Sequence, residues 1–178
     1  MEKSFYTRDV LVVAPELLGK TLCRKFEDGS IKKYAITEVE AYNGVTDLGC
    51  HASKGRTART EVMFQEGGLV YVYLIYGMYW LLNFVTGKES DASAVLIRGV
   101  EGISGPGRLG RALKLDKSFY GENLLTSKRI WVEDGEKVKS YRTTPRIGFE
   151  NVPEPWKSIP WRFVAKAKNM TIMDCNPE

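Results

Sequence analysis

A single histidine, His51, stands in this chain of 178 residues, and its three cysteines are widely separated at Cys23, Cys50 and Cys175. An odd, scattered set of thiols does not describe a disulfide framework. Cys50 and His51 are adjacent, which is poor spacing for zinc, and no second pair of ligands accompanies them. No apolar run reaches the roughly 18 residues needed to span a bilayer. The N-terminus, Met-Glu-Lys-Ser-Phe-Tyr-Thr-Arg, lacks the apolar stretch of a signal peptide, so a cytoplasmic protein is expected. Asn169-Met-Thr171 matches a glycosylation acceptor by chance on that reading. Also missing are the Gly-x-Ser-x-Gly elbow, the P-loop and the His-Glu-x-x-His helix. Neither a cofactor nor a metal is expected.

What is present is ordinary globular material: 43% hydrophobic and 27% charged residues. The length predicts one domain over 1–178, able to bury about two-thirds of its unfolded surface. The net charge of +4 is unevenly placed. Residues 1–50 carry 7 basic and 8 acidic groups, and residues 51–178 carry 19 and 14. That excess fits a polyanion partner without proving one.

Hydrophobic periodicity predicts a helix over 9–18, with Gly19 at its C-terminus. A hairpin follows, with strands over 21–27 and 31–42 around the turn Asp28-Gly29-Ser30. In the second strand, Ile36, Glu38, Glu40 and Tyr42 are expected on one face, with Thr37, Val39 and Ala41 on the other. Residues 43–68 are glycine-rich and irregular, and a loop of that length is often functional. Strands over 69–76 and 79–85 flank Gly77-Met78, and another spans 92–101. A helix opens at Gly105 and carries Arg108, Arg111 and Lys114 on one side. Short strands are expected over 129–133 and 137–147. The tail, with Trp156, Trp161 and Phe163, is expected to pack on the core. The fold class is therefore α+β: a curved, mostly antiparallel sheet with flanking helices and a protruding hairpin.

Each chemical signal has a bland counterpart. Glu38 and Glu40 are neighbours on a strand face, where burial would raise one pKa; a solvated strand face is the ordinary alternative. Tyr71, Tyr73, Tyr76 and Tyr79 are common strand residues. Tyr76, however, falls at a hairpin tip, where an aromatic could wedge into a base stack. Gly105-x-Gly-x-x-Gly110 fits a dinucleotide fingerprint as a string, but lacks the βαβ context and the acidic residue that give the motif meaning.

Taken together, Glu38-Val-Glu-Ala-Tyr42, His51, Tyr71-Val-Tyr-Leu-Ile-Tyr-Gly-Met-Tyr79, Asn83 and Val95-Leu-Ile-Arg98 resemble the alkyladenine (3-methyladenine) DNA glycosylases of the mammalian type. Gly105-Pro-Gly-Arg-Leu, Lys117-Ser-Phe119 and Arg146-Ile-Gly148 extend the likeness over nearly the whole chain. The resemblance implies a monofunctional enzyme that flips alkylated or deaminated purines from double-stranded DNA and hydrolyses the glycosidic bond. It implies that Glu40 is the general base and that Arg98 helps hold the attacking water. Tyr42, His51 and Tyr73 would grip the flipped base, and Asn83 would reject the 2-amino group of guanine. Tyr76 would fill the gap left in the duplex. Met78, Tyr79, Arg56, Arg59, Arg108 and Arg111 are expected to contact DNA, with Lys54, Lys128 and Arg129 as further phosphate contacts. A monomer near the chromosome is expected. The rivals are a non-catalytic nucleic-acid-binding domain, using the tyrosines as a stacking platform, and a glycoside hydrolase with Glu38 and Glu40 as its acid/base pair.

Overall fold

The computed structural model describes residues 1–166. Cys175 and the Asn169–Thr171 sequence lie outside them. After a single helical turn, α1 (Lys3–Tyr6), helix α2 (Val10–Leu17) starts where the Asp9 carboxylate caps the Leu11 N–H at 2.7 Å. It ends at Gly19, whose φ of +82° suits a left-handed C-terminal residue.

Strands β1 (Thr21–Lys25) and β2 (Ile31–Tyr42) form the first hairpin, turning at Gly29. Strands β3 (Val70–Ile75) and β4 (Tyr79–Thr86) form the second. Strand β5 (Ser93–Val100) lies between β4 and the C-terminal half of β2, and the short β6 (Ile103–Ser104) folds back on it. Strand β7 (Ile130–Glu133) extends the sheet beyond β1. Strand β9 (Arg162–Ala165) pairs with β2 on the edge β1 leaves free, and β8 (Tyr141–Thr144) pairs with β9. Every ladder among the described residues is antiparallel, in the order β3-β4-β5-β2-β1-β7. The strongly curled α+β sheet agrees with the expected fold class.

The main core lies on one face. Leu22, Val39, Ala41, Val70, Val72, Leu82, Phe84, Val95 and Ile97 pack there with Val10, Val13, Leu17, Leu109 and Leu113. The opposite face of β2–β5 carries a smaller cluster built on Cys50, Met63, Tyr71, Val85 and Ala94. These two faces explain why the central strands read as apolar on both sides.

Two sequence expectations need correction here. Ile36 belongs to the core with Val39 and Ala41, not to the Glu40 face. The register shifts between Ile36 and Glu38, and again between Glu38 and Val39. The first shift leaves Thr37 as an extra residue in β2, and the second leaves Arg98 as an extra residue in β5. Such bulges reverse face parity and re-aim side chains. The basic row on the third helix is also shorter than expected. Helix α3 spans Pro106–Ala112, and Lys114 lies past its end with φ +50°.

The glycines of the rejected dinucleotide string have packing roles. A Cβ at Gly110 would stand 1.9 Å from the Trp80 carbonyl, and one at Gly107 would stand 3.0 Å from the Tyr79 ring. Only a bare backbone lets α3 lie flat on β4. Among the described residues, no helix is long and apolar enough to cross a membrane.

Candidate active site

Cross-strand register assembles the site. Tyr71 pairs with Asn83, Asn83 with Leu96, and Leu96 with Glu40, so a single row crosses β3, β4, β5 and β2. Tyr42 and Tyr73 flank this row on the same face. The loop after β2 then brings in a 3₁₀ turn, His51–Lys54, and a second such turn, Glu61–Phe64, supplies Met63. The resulting pocket is lined by Tyr42, Cys50, His51, Met63, Tyr71, Tyr73, Asn83 and Ala94. Its free volume is about 10 Å³, room for about one water.

Four predicted base-gripping residues, Tyr42, His51, Tyr73 and Asn83, therefore meet in one pocket. Sequence reading missed Cys50, Met63 and Ala94 as walls. It also left Tyr71 as a sheet residue, although Tyr71 shares a face with Tyr73 at i, i+2. The His51 ring stands edge-on to Tyr73, with centroids 4.6 Å apart, and its Nδ1 lies 2.9 Å from the Tyr71 hydroxyl. Burial, with the Arg59 and Lys54 charges added, lowers the His51 pKa to about 4, so its ring is neutral at pH 7. Burial likewise pushes the Tyr71 hydroxyl up to about 12. The Asn83 amide donates to the Tyr71 carbonyl at 3.1 Å and to the Leu81 carbonyl at 3.4 Å, which fixes its orientation.

Glu40 is fully buried and does not itself line the pocket. It reaches the pocket wall through the Tyr42 hydroxyl, which donates to its Oε2 at 2.9 Å. The Ile147 N–H holds its other oxygen at 2.8 Å, and Arg98 Nη1 stands 3.4 Å from Oε2. Burial raises its pKa, outweighing the opposing pull of Arg98, the Ile147 N–H, Tyr42 and Arg146. Glu38 behaves oppositely. Burial alone would raise it, but Arg162 and Arg98 bind it tightly enough to hold it below the ordinary carboxylate range. The environments of these two carboxylates thus separate their affinities for protons.

Beneath the pocket lies an ion pair that sequence reading did not find. Arg146 binds Asp47 through both terminal nitrogens, at 2.5 and 2.8 Å, and both side chains are 0% exposed. Arg146 also donates to the Ala41 carbonyl at 3.0 Å, and its guanidinium lies 4.9 Å from the Tyr42 ring centroid and 4.4 Å from that of Phe149. Asp47 accepts the Asn43 and Gly49 N–H groups. Its bond to Gly49, two residues on, is the usual turn bond of an Asx residue, and an Asp in a glycine-rich loop is the one local signal for it.

Among the predicted DNA contacts, Tyr76 and Met78 share the hairpin whose Tyr73 lines the pocket. Tyr76 is 82% exposed and Met78 60% exposed at the tip of the β3–β4 hairpin. The Met78 N–H bonds the Ile75 carbonyl at 3.2 Å, and Tyr76 and Gly77 both have positive φ, 52° and 66°. A non-glycine residue held left-handed is strained, and here it aims an aromatic outward. Arg111 stacks over Tyr79 at 5.0 Å, and exposed Arg108 borders a groove with Tyr76 and Tyr79. Arg59 lies over the Tyr73 ring at 5.0 Å, at the pocket itself. Arg56 pairs with Glu61 at 3.2 Å. Arg129, a further expected phosphate contact, is bound to Glu122 and Ser118 and stacked 4.0 Å over Phe119. No group of three metal-binding side chains occurs among the described residues.

Comparison with known proteins gives a concordant result. The model of the methylpurine-DNA glycosylase family matches residues 4–104 and 101–169. A Methanocella arvoryzae protein provisionally named 3-methyladenine DNA glycosylase is 42% identical over 186 residues, covering 93% of this chain and 92% of its own. Proteins with the same provisional name from Wolbachia pipientis wMel and Legionella pneumophila strain Corby are 44% and 43% identical. They cover 92% and 93% of this chain and 89% and 94% of their own lengths.

Proposed function

The chain belongs to the methylpurine-DNA glycosylase family, and from that premise we propose that it acts as one domain, a monofunctional 3-methyladenine DNA glycosylase of duplex DNA. The observation that carries the reading is one buried carboxylate, Glu40, joined by hydrogen bonds to an arginine and to the wall of an aromatic pocket.

The duplex presents its phosphates to the basic half of the chain, where Arg108, Arg111, Arg56, Met78 and Tyr79 make contact. Tyr76 enters the stack as the damaged nucleotide swings out, a movement that costs a few kcal/mol. The purine slides between Tyr42 on one side and His51 and Tyr73 on the other. Aromatic stacking returns about 1–3 kcal/mol per base. With only about one water's space in the closed pocket, these walls must part to admit it. A purine alkylated at N3 or N7 is cationic, and electron-rich tyrosine faces favour it. Neutral His51 adds no repelling charge. Asn83, pinned by two backbone carbonyls, opposes the 2-amino group of an ordinary guanine.

Glu40 then takes a proton from a water molecule as the water oxygen bonds to C1′. The glycosidic bond breaks, and its electron pair leaves with the base, which quenches the positive charge of an alkylated purine. Arg98 holds the water and the adjacent phosphate. The product is an abasic site with both strands intact. Such a base works best with a proton affinity near the working pH, the direction in which burial moves Glu40. Hypoxanthine and ethenoadenine fit the same pocket but are neutral, so they carry no charge for the electron pair to quench, and each must take up a proton from solvent on its ring as the glycosidic bond breaks. A place in the cytoplasm beside the chromosome follows.

The test is base release from duplexes carrying hypoxanthine, ethenoadenine or 7-methylguanine, and from methylated duplex DNA, with Glu40→Gln beside wild type. Wild type should release base, and the variant should bind damaged DNA but release about 10²–10⁴-fold more slowly. Undiminished excision by the variant would refute the role of Glu40. Binding without release by wild type would favour the non-catalytic reading.

A further inference from the structure

Glu38 is not needed by the mechanism above, yet it is one of the most heavily engaged carboxylates at the site. A single oxygen, Oε1, accepts Arg98 Nε at 2.8 Å and Arg162 Nε at 2.7 Å. The three side chains come from β2, β5 and β9, and each is almost covered, at 13%, 12% and 16% exposure. Arg162 sits directly across the ladder from Glu40 and is steadied by Thr144 Oγ1 at 3.1 Å. Arg98, the extra residue of the β5 bulge, thus gives its shorter bond to Glu38 and its longer one, 3.4 Å, to Glu40.

Resting on the glycosylase reading, we propose that Glu38 and Arg162 are positioning residues that hold Arg98 shared between two carboxylates, so that it stays beside Glu40 without closing on it as a full ion pair. A fully paired Glu40 would be a poor acceptor for the proton of water, because an adjacent opposite charge favours the ionised form. Without any arginine, two buried carboxylates would repel and one would stay protonated. Two arginines among two carboxylates lie between these limits. The groups facing Glu40 are Arg98 from β5, Arg162 from β9, Arg146 from the segment after β8, Glu38 and Tyr42 from its own strand, and Tyr73 from β3.

The signs are distinctive. Glu38→Gln removes a like charge near Glu40 and releases Arg98 to pair with it. Both effects make Glu40 easier to ionise, so the acid limb of the pH–rate profile moves to lower pH. The freed Arg98 also weakens the base and leaves the water, so the plateau rate falls by about tenfold, part of the 10²–10⁴ that a positioned base supplies. Arg162→Gln removes a cation opposite Glu40 and leaves Arg98 more fully engaged by Glu38, so the limb moves to higher pH.

The experiment is single-turnover release of methylpurines from methylated duplex DNA between pH 4.5 and 9, using the full chain as wild type, Glu38→Gln, Arg162→Gln and Glu40→Gln. Opposite displacements of the acid limb support the proposal. Displacement of both in the same direction, or an unmoved limb in either, overturns it, since a merely structural role lowers the plateau without a signed shift. If Glu38→Gln fails to fold, the upward shift in Arg162→Gln decides alone. The Glu40→Gln control separates the two levels. Undiminished release by that variant ends the role of Glu40 as the base, and no release by wild type ends the glycosylase reading, whereas inactivity of the variant beside unmoved limbs ends only this inference.

Discussion

Asp47→Asn is the perturbation that best isolates what holds the pocket together. The substitution keeps size but turns one carboxylate oxygen into an NH₂ donor, so with the charge also goes the acceptor of either the Asn43 or the Gly49 N–H, which bond different Asp47 oxygens. It leaves Arg146 with no counter-ion at 0% exposure. Breaking a buried pair by removing one partner costs about 3–5 kcal/mol. For a chain this long, each kcal/mol moves the melting temperature by about 2–4 °C, so a fall of about 6–20 °C is expected. Natural domains hold only about 5–15 kcal/mol in total, so this is a large share. Urea denaturation of wild type, Asp47→Asn, Arg146→Met and the double variant forms a thermodynamic cycle. The double variant should be clearly more stable than the sum of the singles implies, with a coupling of at least about 2 kcal/mol. The functional consequence follows from position. Arg146 lies under Tyr42 and precedes Ile147, whose N–H holds Glu40, while Asp47 anchors the loop that leads to His51. Base release should therefore fall even at temperatures where Asp47→Asn remains folded. A loss of under about 1 kcal/mol, or strict additivity of the singles, would refute the view that charge pairing organises this region.

Further predictions concern the pocket and its rim. Tyr76→Ala, at an 82% exposed position, should leave stability nearly unchanged but weaken binding to a duplex with an abasic site; equal affinity would remove the wedge role. Asn83→Ser should raise release of normal guanine, measured as free base from unmodified DNA, and cost about 1–3 kcal/mol because the Tyr71 carbonyl loses its donor. His51, with its pKa lowered to about 4 by burial, should make the fold lose stability as pH falls from about 6.5 towards 4. Over that window the unfolded chain takes up a proton that the native ring refuses. Allowing for partial solvent screening, the loss is on the order of 2 kcal/mol, and His51→Asn should flatten that part of a stability-against-pH curve.

Local pattern carried much of this molecule in plain view. The span of β2, its turn at Gly29 and the pairing of Glu40 with Tyr42 on one face follow from alternation and a glycine. So do the β3–β4 hairpin and its outward Tyr76. What alternation cannot register is a bulge. Nothing between Ile36 and Val39 announces the extra residue that sends Ile36 to the core, and nothing in Val95-Leu-Ile-Arg98 says that Arg98 stands outside the ladder. Strand β9 was hidden for another reason. Its four residues follow Pro153, Pro155 and Pro160, and a run so punctuated reads as a tail.

The charged residues show the deeper limit. Arg146 and Asp47 are 99 positions apart, and Arg162 and Glu38 are 124 apart. Taken singly, each is a residue type that is almost never fully buried unless paired. Their burial is a property of the pair, and the pair exists only once β2, β5 and β9 have met. The same condition decides the chemistry. Glu40 acquires its raised proton affinity from burial by elements contributed along the length of the chain, and the arginines that moderate it, Arg98 and Arg146, come from β5 and from the segment after β8. A motif can therefore name the carboxylate proposed as base, but its proton affinity is settled by the neighbours that tertiary contact supplies. Variants in β9, far from the motif in sequence, should accordingly alter the pH dependence of base release more than conservative changes to Ile31 and Lys32, the exposed residues at the start of β2.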